Sequence, residues 1–502
     1  MSTQVENKQS QATTTESVSL LEQAVAATRN TERSRTEQLL QTLTAEALKG
    51  TVSWNKNLSA TINEAIAKID EKISKQVTKI LHAPEVQKLE GSWRGLHYLI
   101  KNTSTSELMK VKLFNASKED IQKDFNKILE PTQSLLFEKI YEDEFGTPGG
   151  EPYGLLIGDY EFGNNSKDVD FLTKMSGISA TAFAPFVTAA NGTALGLDSW
   201  EDLSKPKDLE KIAKSYEFNQ WNNFRDSEDA AFVTLAMPRV LSRLPYNDKT
   251  NPADGFTFNE VEFDKNGRAK KMDHNEFTWM NAAYVMGAKM TESFEKTGWC
   301  TAIRGASSGG KVEGLPTFGF VSDDGDIDLK CPTEIAITDR REKELANLGF
   351  MPLSHYKKTD YAVFFGAQTA KRPKIYEEDS ATENAAIAAK LPYIMVTSRV
   401  AHHVKIMGRD MIGSMKSTSE VEADLNKWIK NYIDTNPNSQ EYVRHRYPLA
   451  EAKISVEAIP GRVGAYHAVA YMKPWLPLEE LSTSLRLVAS IPGAAGGGEG
   501  SE

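Results

Sequence analysis

Apolar residues recur every three or four positions along one stretch: Ile62, Ile66, Ile69, Ile73, Val77 and Ile80. That period marks one face of an α-helix. Lys68, Glu71, Lys72, Lys75 and Lys79 fill the other face, and His82-Ala83-Pro84 ends it. Without sustained heptads, the stripe is predicted to pack against its own chain and not against a partner coil. A following helix holds Val86, Leu89, Trp93, Leu96 and Ile100. Upstream, residues 1 to about 17 are polar, Gln/Thr/Ser-rich and without periodicity, so a disordered tail is predicted. A short helix starts at Ser19, with Glu22 placed as in a capping box, and carries Leu20, Leu21, Ala24, Val25 and Ala27. It ends near Thr28-Arg29-Asn30, before a charged break over Glu32 to Glu37. Another helix holds Leu39, Leu40, Leu43 and Ala47 and stops at Gly50.

From about residue 107 the pattern is mixed. Met109, Val111 and Leu113 alternate with Lys110 and Lys112, which predicts a half-buried strand. Tyr153 to Tyr160 is an apolar run of strand length, and a helix over Asp168 to Met175 precedes another apolar run, TAFAPFV. Strands alternating with helices argue for an α/β or mixed α+β core. Residues 246 to 275 are polar and turn-rich and read as an insertion or long loop. Helices are predicted around Tyr393 to Val396 and over Ser419 to Tyr432. Ile454, Val456 and Ala458, then Tyr466, Ala468 and Ala470, predict a hairpin across the Pro460-Gly461 turn. Beyond Pro474 and Pro477, Leu485, Leu487 and Ala489 alternate with Arg486, Val488 and Ser490 up to Ile491. This last strand is detached from the hairpin and precedes a glycine-rich end.

Composition narrows the function. The chain has 502 residues, 40% hydrophobic and 25% charged, enough for several domains with a large core. A net charge of −10 disfavours a general nucleic-acid binder, which needs a basic face for phosphates. Two cysteines, Cys300 and Cys331, supply neither a disulfide framework nor a zinc cluster and suit a reducing cytoplasm. No apolar run approaches the ~20 residues that span a bilayer, and the first residues lack the pattern of a signal peptide. No membrane insertion is therefore expected.

Candidate chemistry centres on WCTAIRGASSGGKVEGLP, Trp299 to Pro316. Gly305, Gly310 and Lys311 fit P-loop spacing, but Val312 stands where a magnesium-binding hydroxyl belongs. Gly305, Ser307 and Gly309 spell the G-x-S-x-G of a hydrolase elbow. Both motifs need a helix directly afterwards, and Gly314 and Pro316 oppose one. The reading is a flexible glycine loop between strands; a serine hydrolase or a nucleotide-binding module on Gly305–Lys311 is the alternative. His402 and His403 are adjacent and do not share a helix face, so no metal site is assigned. Asp323 to Asp328 fails the calcium-loop pattern, because Ile335 stands at the closing position, and reads as a solvated turn. Lys371, Arg372 and Lys374 form a small basic cluster, read as solvated loop charges or a face for an acidic partner. No catalytic residue and no cofactor is assigned. The residues alone describe an assembly protein with two tethered ends, a helix and a strand, suited to docking on neighbours.

Four blocks sharpen this. They are Ser92 to Ile100 (SWRGLHYLI), Phe224 to Tyr246 (FRDSEDAAFVTLAMPRVLSRLPY), Trp299 to Pro316, and Pro460 to Leu481 (PGRVGAYHAVAYMKPWLPLEEL). In this order they resemble the large sheath subunit of the bacterial type VI secretion system, the TssC/VipB family. The resemblance implies a mixed α/β, multi-domain contractile-sheath fold with a helical N-terminal region and a C-terminal domain like that of phage tail sheaths. It implies an arm over 1–60, a large sheath domain over 61–380, a C-terminal sheath domain over 381–480, and a linking strand with tail over 481–502. It further implies a cytoplasmic structural protein that pairs with the small sheath subunit (TssB/VipA) and polymerises with copies of itself from a baseplate around a tube of Hcp. The AAA+ unfoldase ClpV then takes the contracted sheath apart. In some relatives ClpV grips a helix near the N-terminus. Leu20, Leu21, Thr28 and Arg29 resemble the ends of that helix, with Ala24 and Val25 between them. The middle departs toward small residues. The strand carrying Leu485, Leu487, Val488, Ala489 and Ile491 is expected to pair between subunits.

Overall fold

A computed structural model describes residues 58–475 except 129, 206, 412, 414, 415 and 459–465, together with residue 41. The helices predicted upstream of Gly50 and the strand predicted over 484–491 lie outside the described residues. The chain divides into two compact units, Met1–Ile406 and Met407–Glu502.

The first unit opens with α1 (Leu58–Leu81) and α2 (Pro84–Lys101), parted at Ala83 as the sequence indicates. Pro84 sits in the first helical turn, where its missing N–H costs nothing. A six-stranded sheet follows, fed in chain order by β1 (Leu156–Phe162), α3 (Ser166–Ala182), β2 (Phe186–Ala190), α4 (Asn219–Asp226) and β3 (Val233–Met237). The chain then leaves the sheet through a short pair, β4 (Val240–Leu241) and β5 (Trp279–Met280), before α5 (Ala282–Thr297). It continues through β6 (Lys311–Val312), the hairpin β7 (Phe318–Val321) and β8 (Ile327–Lys330), α6 (Asp339–Asn347), β9 (Phe350–His355) and β10 (Ala362–Phe364). The helices α7 (Asp379–Ala388) and α8 (Leu391–Asp410) follow, the latter belonging to this unit as far as Ile406.

Strand order is β1-β2-β3-β9-β10-β6. The first four run parallel, and β10 and β6 are added antiparallel. β2 and β3 read FVTAA and VTLAM, with every residue buried, as strands covered on both faces require. Phe186, Val233, Leu235 and Phe350 face a core built with Phe162, Phe171 and Leu172. Val187, Ala236, Met351 and Leu353 face the other core, under Ala283, Val285 and Met286 of α5. The unit is thus a parallel-centred sheet between two helical layers, the mixed α/β core that the alternation predicts.

Two expectations need correction. Met109 to Leu113 form no strand; Ser106 and Met109 share an isolated bridge, and Val111 and Leu113 are exposed. The segment is instead tied down by its lysines, Lys110 to Glu151 and Lys112 to Glu144 (2.5 Å). The predicted helix over 168–175 runs to Ala182, capped by Asn165 accepting from the Asp168 N–H. Residues 246–275, predicted as a long loop, contain no named strand and enter a short 3-10 turn at His274–Glu276, yet they are packed: Asn247, Phe258, Glu260 and Val261 are buried.

The second unit contains α9 (Thr418–Ile429) and a hairpin, β11 (Leu449–Ala458) with β12 (Tyr466–Pro474). Ser417 and Glu420 form a capping box at the start of α9. The predicted hairpin is found, and its register sets Ile454 opposite Ala470, Val456 opposite Ala468 and Ala458 opposite Tyr466.

Candidate assembly surfaces

α2 has two faces of opposite character. A Cβ at Gly91 would run into the carbonyl oxygen of Trp279, and one at Gly95 into the Tyr284 ring. With Leu99 packed on Tyr284 and Ala288, these glycines let α2 lie flat on β5 and α5. Leu89, Trp93 and Ile100 then project the other way. On α1, Ile66, Ile69, Ile73 and Ile80 also point outward; all seven side chains are 40–62% exposed. The prediction that this stripe packs on its own chain is therefore wrong for the described residues. Ile66, Ile73 and Ile80 stand seven apart, and so do Ile62 and Ile69, so the two sets line one seam along a 24-residue helix, a length of about 36 Å. Large contiguous apolar surface of this kind marks an interaction site.

The helix pair is fixed to the body by a buried charge cluster. Arg243 donates to Glu90 of α2 at 2.6 Å and to Glu260 at 2.7 Å, and its side chain is almost fully buried. His82, just past α1, lies 3.0 Å from the same Glu260. Burial pushes the Glu260 carboxyl up, but hydrogen bonds from His82 and Arg243 outweigh it and hold the group below the ordinary carboxylate range. Removing one member of such a cluster leaves a buried unpaired charge, a loss of about 3–5 kcal/mol. The cluster pins the junction of α1 and α2 and makes the seam a rigid platform.

In the second unit the two edges of the hairpin differ. Asn426 of α9 accepts from the Ile454 N–H at 3.0 Å and donates to the Ile454 carbonyl at 2.5 Å. Glu422 accepts from the Val456 N–H at 3.0 Å. The outer edge of β11 is thus closed by helix side chains. Among the described residues β12 has a strand neighbour on one side alone, and its Tyr466, Val469 and Tyr471 are exposed. An open edge of nine residues is a template for another strand. Periodicity in the sequence shows the hairpin but not which edge is closed.

The glycine loop contains no helix after Lys311, which enters β6. It is tight, not flexible. Gly305 and Gly309 hold φ values of 76° and 100°, and a Cβ at Gly310 would lie 2.5 Å from the Phe364 carbonyl oxygen. Gly305 N–H donates to that oxygen at 2.7 Å, and Phe364 N–H returns a bond to Gly310 at 3.0 Å. Lys311 pairs with Glu313 and lies over the Tyr361 ring. Ser307 is exposed at the loop tip. The glycines therefore serve a turn that docks β6 on β10.

The remaining sequence candidates resolve structurally. His402 is buried with Nε2 2.9 Å from the Ala182 carbonyl oxygen, packed edge-on to Phe145. Asp323 to Asp326 lie in the exposed turn of the β7–β8 hairpin. Lys371 and Lys374 both pair with Glu228, the latter at 2.7 Å, and Arg372 reaches Asp226 at 3.5 Å, so each charge of the basic cluster is ion-paired within the chain. Among the described residues no group of three or more His, Cys, Asp or Glu is placed to hold a metal, and no helix is long and apolar enough to cross a membrane. The expected unfoldase helix (Leu20, Leu21, Ala24, Val25, Thr28, Arg29) and intersubunit strand (Leu485 to Ile491) lie outside the described residues.

An outward seam and an open sheet edge define a structural protein that assembles with other chains. Comparison with known proteins gives the particular family. Residues 63–371 match the VipB family model, described as EvpB/VC_A0108, tail sheath N-terminal domain. Residues 380–491 match its companion, the tail sheath gpW/gp25-like domain. The chain is 44% identical over 484 residues to the type VI secretion system sheath protein TssC1 of Pseudomonas aeruginosa, covering 96% of each. The chain belongs to this VipB family of type VI secretion sheath proteins; it is a non-catalytic structural subunit of the contractile sheath. In backbone it is similar to a chain of the anti-feeding prophage baseplate (TM-score 0.33, 10% identity, 64% of this chain and 66% of that one). It is also similar to a chain of the contracted helical sheath of the same prophage (TM-score 0.30, 9% identity, 63% and 66%). The chain thus spans just under two thirds of each of those two chains.

Proposed function

We propose that this chain is the large sheath subunit that pairs with a small subunit (TssB/VipA) through the α1 seam. The heterodimers polymerise from a baseplate, in the cytoplasm, around an inner tube of Hcp. Contraction of that lattice propels the tube and its spike. The outward isoleucine seam carries the reading: a half-exposed 3–4 repeat on a pinned helix is shaped for a partner helix. Residues 1–60 act as an arm, 61–380 and 381–480 as sheath domains, and 481–502 as the linking strand with its tail.

A subunit without nucleotide chemistry stores energy at assembly, in an extended lattice that is held metastable from the baseplate. Contraction repacks subunit faces at lower free energy. Strands shared between neighbours keep the lattice connected while bodies rotate, because sheet-edge hydrogen bonds survive hinge motion in the tethers. Co-expression with the small subunit tests the reading. Helical tubes are expected by electron microscopy, and a soluble chain that forms neither heterodimer nor tubes refutes it.

The helix Ser19 to Arg29 serves in this reading as the handle for the ClpV unfoldase. Its support is the isolated amphipathic stripe and the resemblance of its ends. Changing Leu21 and Val25 to Asp is expected to weaken unfoldase binding at least tenfold and leave tubes intact. Peptides spanning residues 15–30, titrated with and without the substitutions, check this; equal affinity would move the contact elsewhere.

A further inference from the structure

Between α2 and the short helix Lys118–Phe125 the chain is straight, exposed and without a sheet. Residues 110–115 are all exposed and run without turn or bend, so the backbone is extended over about 20 Å. Both ends of this stretch are fastened. Ser106 and Met109 exchange main-chain hydrogen bonds of 3.0 and 3.2 Å, and the Tyr160 hydroxyl donates to the Ala116 carbonyl oxygen at 2.7 Å. One face is fastened as well. Lys110 pairs with Glu151 and Lys112 with Glu144, and the Glu151 N–H donates to the same Glu144 at 2.8 Å. The Lys112 ammonium also lies 5.3 Å from the Tyr153 ring centroid. Side chains alternate along an extended chain, so Val111 and Leu113 stand on the face opposite the lysines, both exposed.

The sequence reads as a strand here, with apolar residues set between lysines. Yet among the described residues no main-chain N–H or C=O of residues 110–115 meets a protein partner. Both edges of a strand-like backbone are therefore open. The row of donors and acceptors along such an edge is matched by another extended backbone. The clamps have already removed most of the freedom that pairing would remove, so docking a strand here costs little further ordering.

The place of the stretch in the chain points to its occupant. Half of the large hydrophobic side chains exposed among the described residues fall between Ile66 and Phe114, in one run through α1, α2 and this stretch. Ile100 in the last turn of α2 and Leu108 in the turn before the stretch carry that run from the helices to the strand. A partner that covers the outward face of the helices is thus positioned to cover Val111 and Leu113 too.

We propose that residues 110–115 are a docking strand, on which the subunit seated at the α1 seam lays an extended strand of its own, apolar where it meets Val111 and Leu113. This rests on the reading that the small sheath subunit occupies that seam. The open edge of β12 is a different one, since β12 belongs to the second unit.

Residue-resolved hydrogen–deuterium exchange of the full chain, alone and co-purified with the small subunit, tests this. Successive N–H groups of a strand point to opposite edges. One docked strand therefore slows alternate amides, either Val111, Leu113 and Asn115 or Lys110, Lys112 and Phe114, by about a hundredfold or more. All six are expected to exchange without protection in the chain alone. Prolines placed singly at Leu113 and Phe114 extend the test. Both residues are exposed, at 71% and 60%, and neither is a clamp, so the chain keeps its fold. The proline at the protected amide is expected to weaken pairing with the small subunit about tenfold, and its neighbour to change it little. A heterodimer in which the six amides exchange as in the free chain overturns the inference and leaves the seam reading standing. So does protection already present in the chain alone, which would mean that this chain fills the edge itself. Protection that arises only in assembled tubes would assign the strand to a neighbouring copy and overturn the choice of partner. Two silent prolines would count against it equally. Failure to form any heterodimer removes the seam reading, and the inference with it.

Discussion

Replacing Ile66 and Ile73 together by aspartate is expected to abolish pairing with the small sheath subunit while the chain itself stays folded. Both side chains are roughly half exposed, so neither supports the core of its own unit. Aspartate and isoleucine differ by only a few tenths of a kcal/mol in helix propensity, and surface changes of this kind stay within about ±0.5 kcal/mol each. In the paired state the balance is different. Burial of the remaining apolar area contributes on the order of 1 kcal/mol per isoleucine, and desolvating a polar group in its place costs a further ~1–3 kcal/mol. Two sites together give roughly 4–8 kcal/mol, and 1.4 kcal/mol is tenfold, so affinity falls about a thousandfold or more. Co-purification and a binding titration measure the loss, and a thermal melt of the free variant checks its fold. Undiminished pairing would place the small subunit on another surface, with the Leu89–Trp93–Ile100 face of α2 the next to test.

That seam also shows what the sequence can and cannot disclose. The 3–4 period is plain from Ile62 to Ile80, and so is the C-terminal end of α1 before Pro84, but not its start at Leu58. An amphipathic stripe says that a face is to be buried, but not what buries it. The direction becomes visible only once Gly91 and Gly95 bring α2 flat onto the body and leave Trp93 outward. The apolar run of β2 is legible because a strand covered on both faces is almost wholly apolar, whereas β1, at the sheet edge, carries Asp159 and Glu161 and is mostly half-buried. Glu260 and Asn247 are not, since a buried polar residue looks like a loop residue until its partners are known. Glu260 meets Arg243 and His82, the latter 178 positions away. Lys371 meets Glu228 across 143 positions, which makes the basic cluster an internal one. The glycine loop is legible as non-helical after Lys311, but its rigidity comes from backbone bonds to Phe364 that no local pattern encodes.

A proline at Leu487 is expected to prevent tube formation while leaving the heterodimer intact. The segment Ser484 to Ile491 alternates Leu485, Leu487 and Ala489 with Arg486, Val488 and Ser490, the pattern of a strand with one apolar face. It needs a sheet edge. β12 presents one of nine residues, because α9 closes the opposite side of the hairpin through Asn426 and Glu422. A neighbour's strand laid there would complete a three-stranded sheet, where an isolated hairpin is marginal. Proline removes one ladder N–H, a net loss of about 0.5–1.5 kcal/mol, and its ring disfavours the paired backbone. The defect recurs at every subunit contact, so a modest loss per joint becomes failure of the polymer. The first unit is untouched, because its two main cores contain no residue later in the chain than Met395. Leu487→Val, which keeps the donor and a strand-favouring side chain, should restore tubes and so separates backbone pairing from side-chain packing. The purified Leu487→Pro heterodimer is examined for tubes by electron microscopy. Normal tubes with normal contraction would show that lattice connectivity lies in another segment, and the open edge of β12 would then need a different occupant.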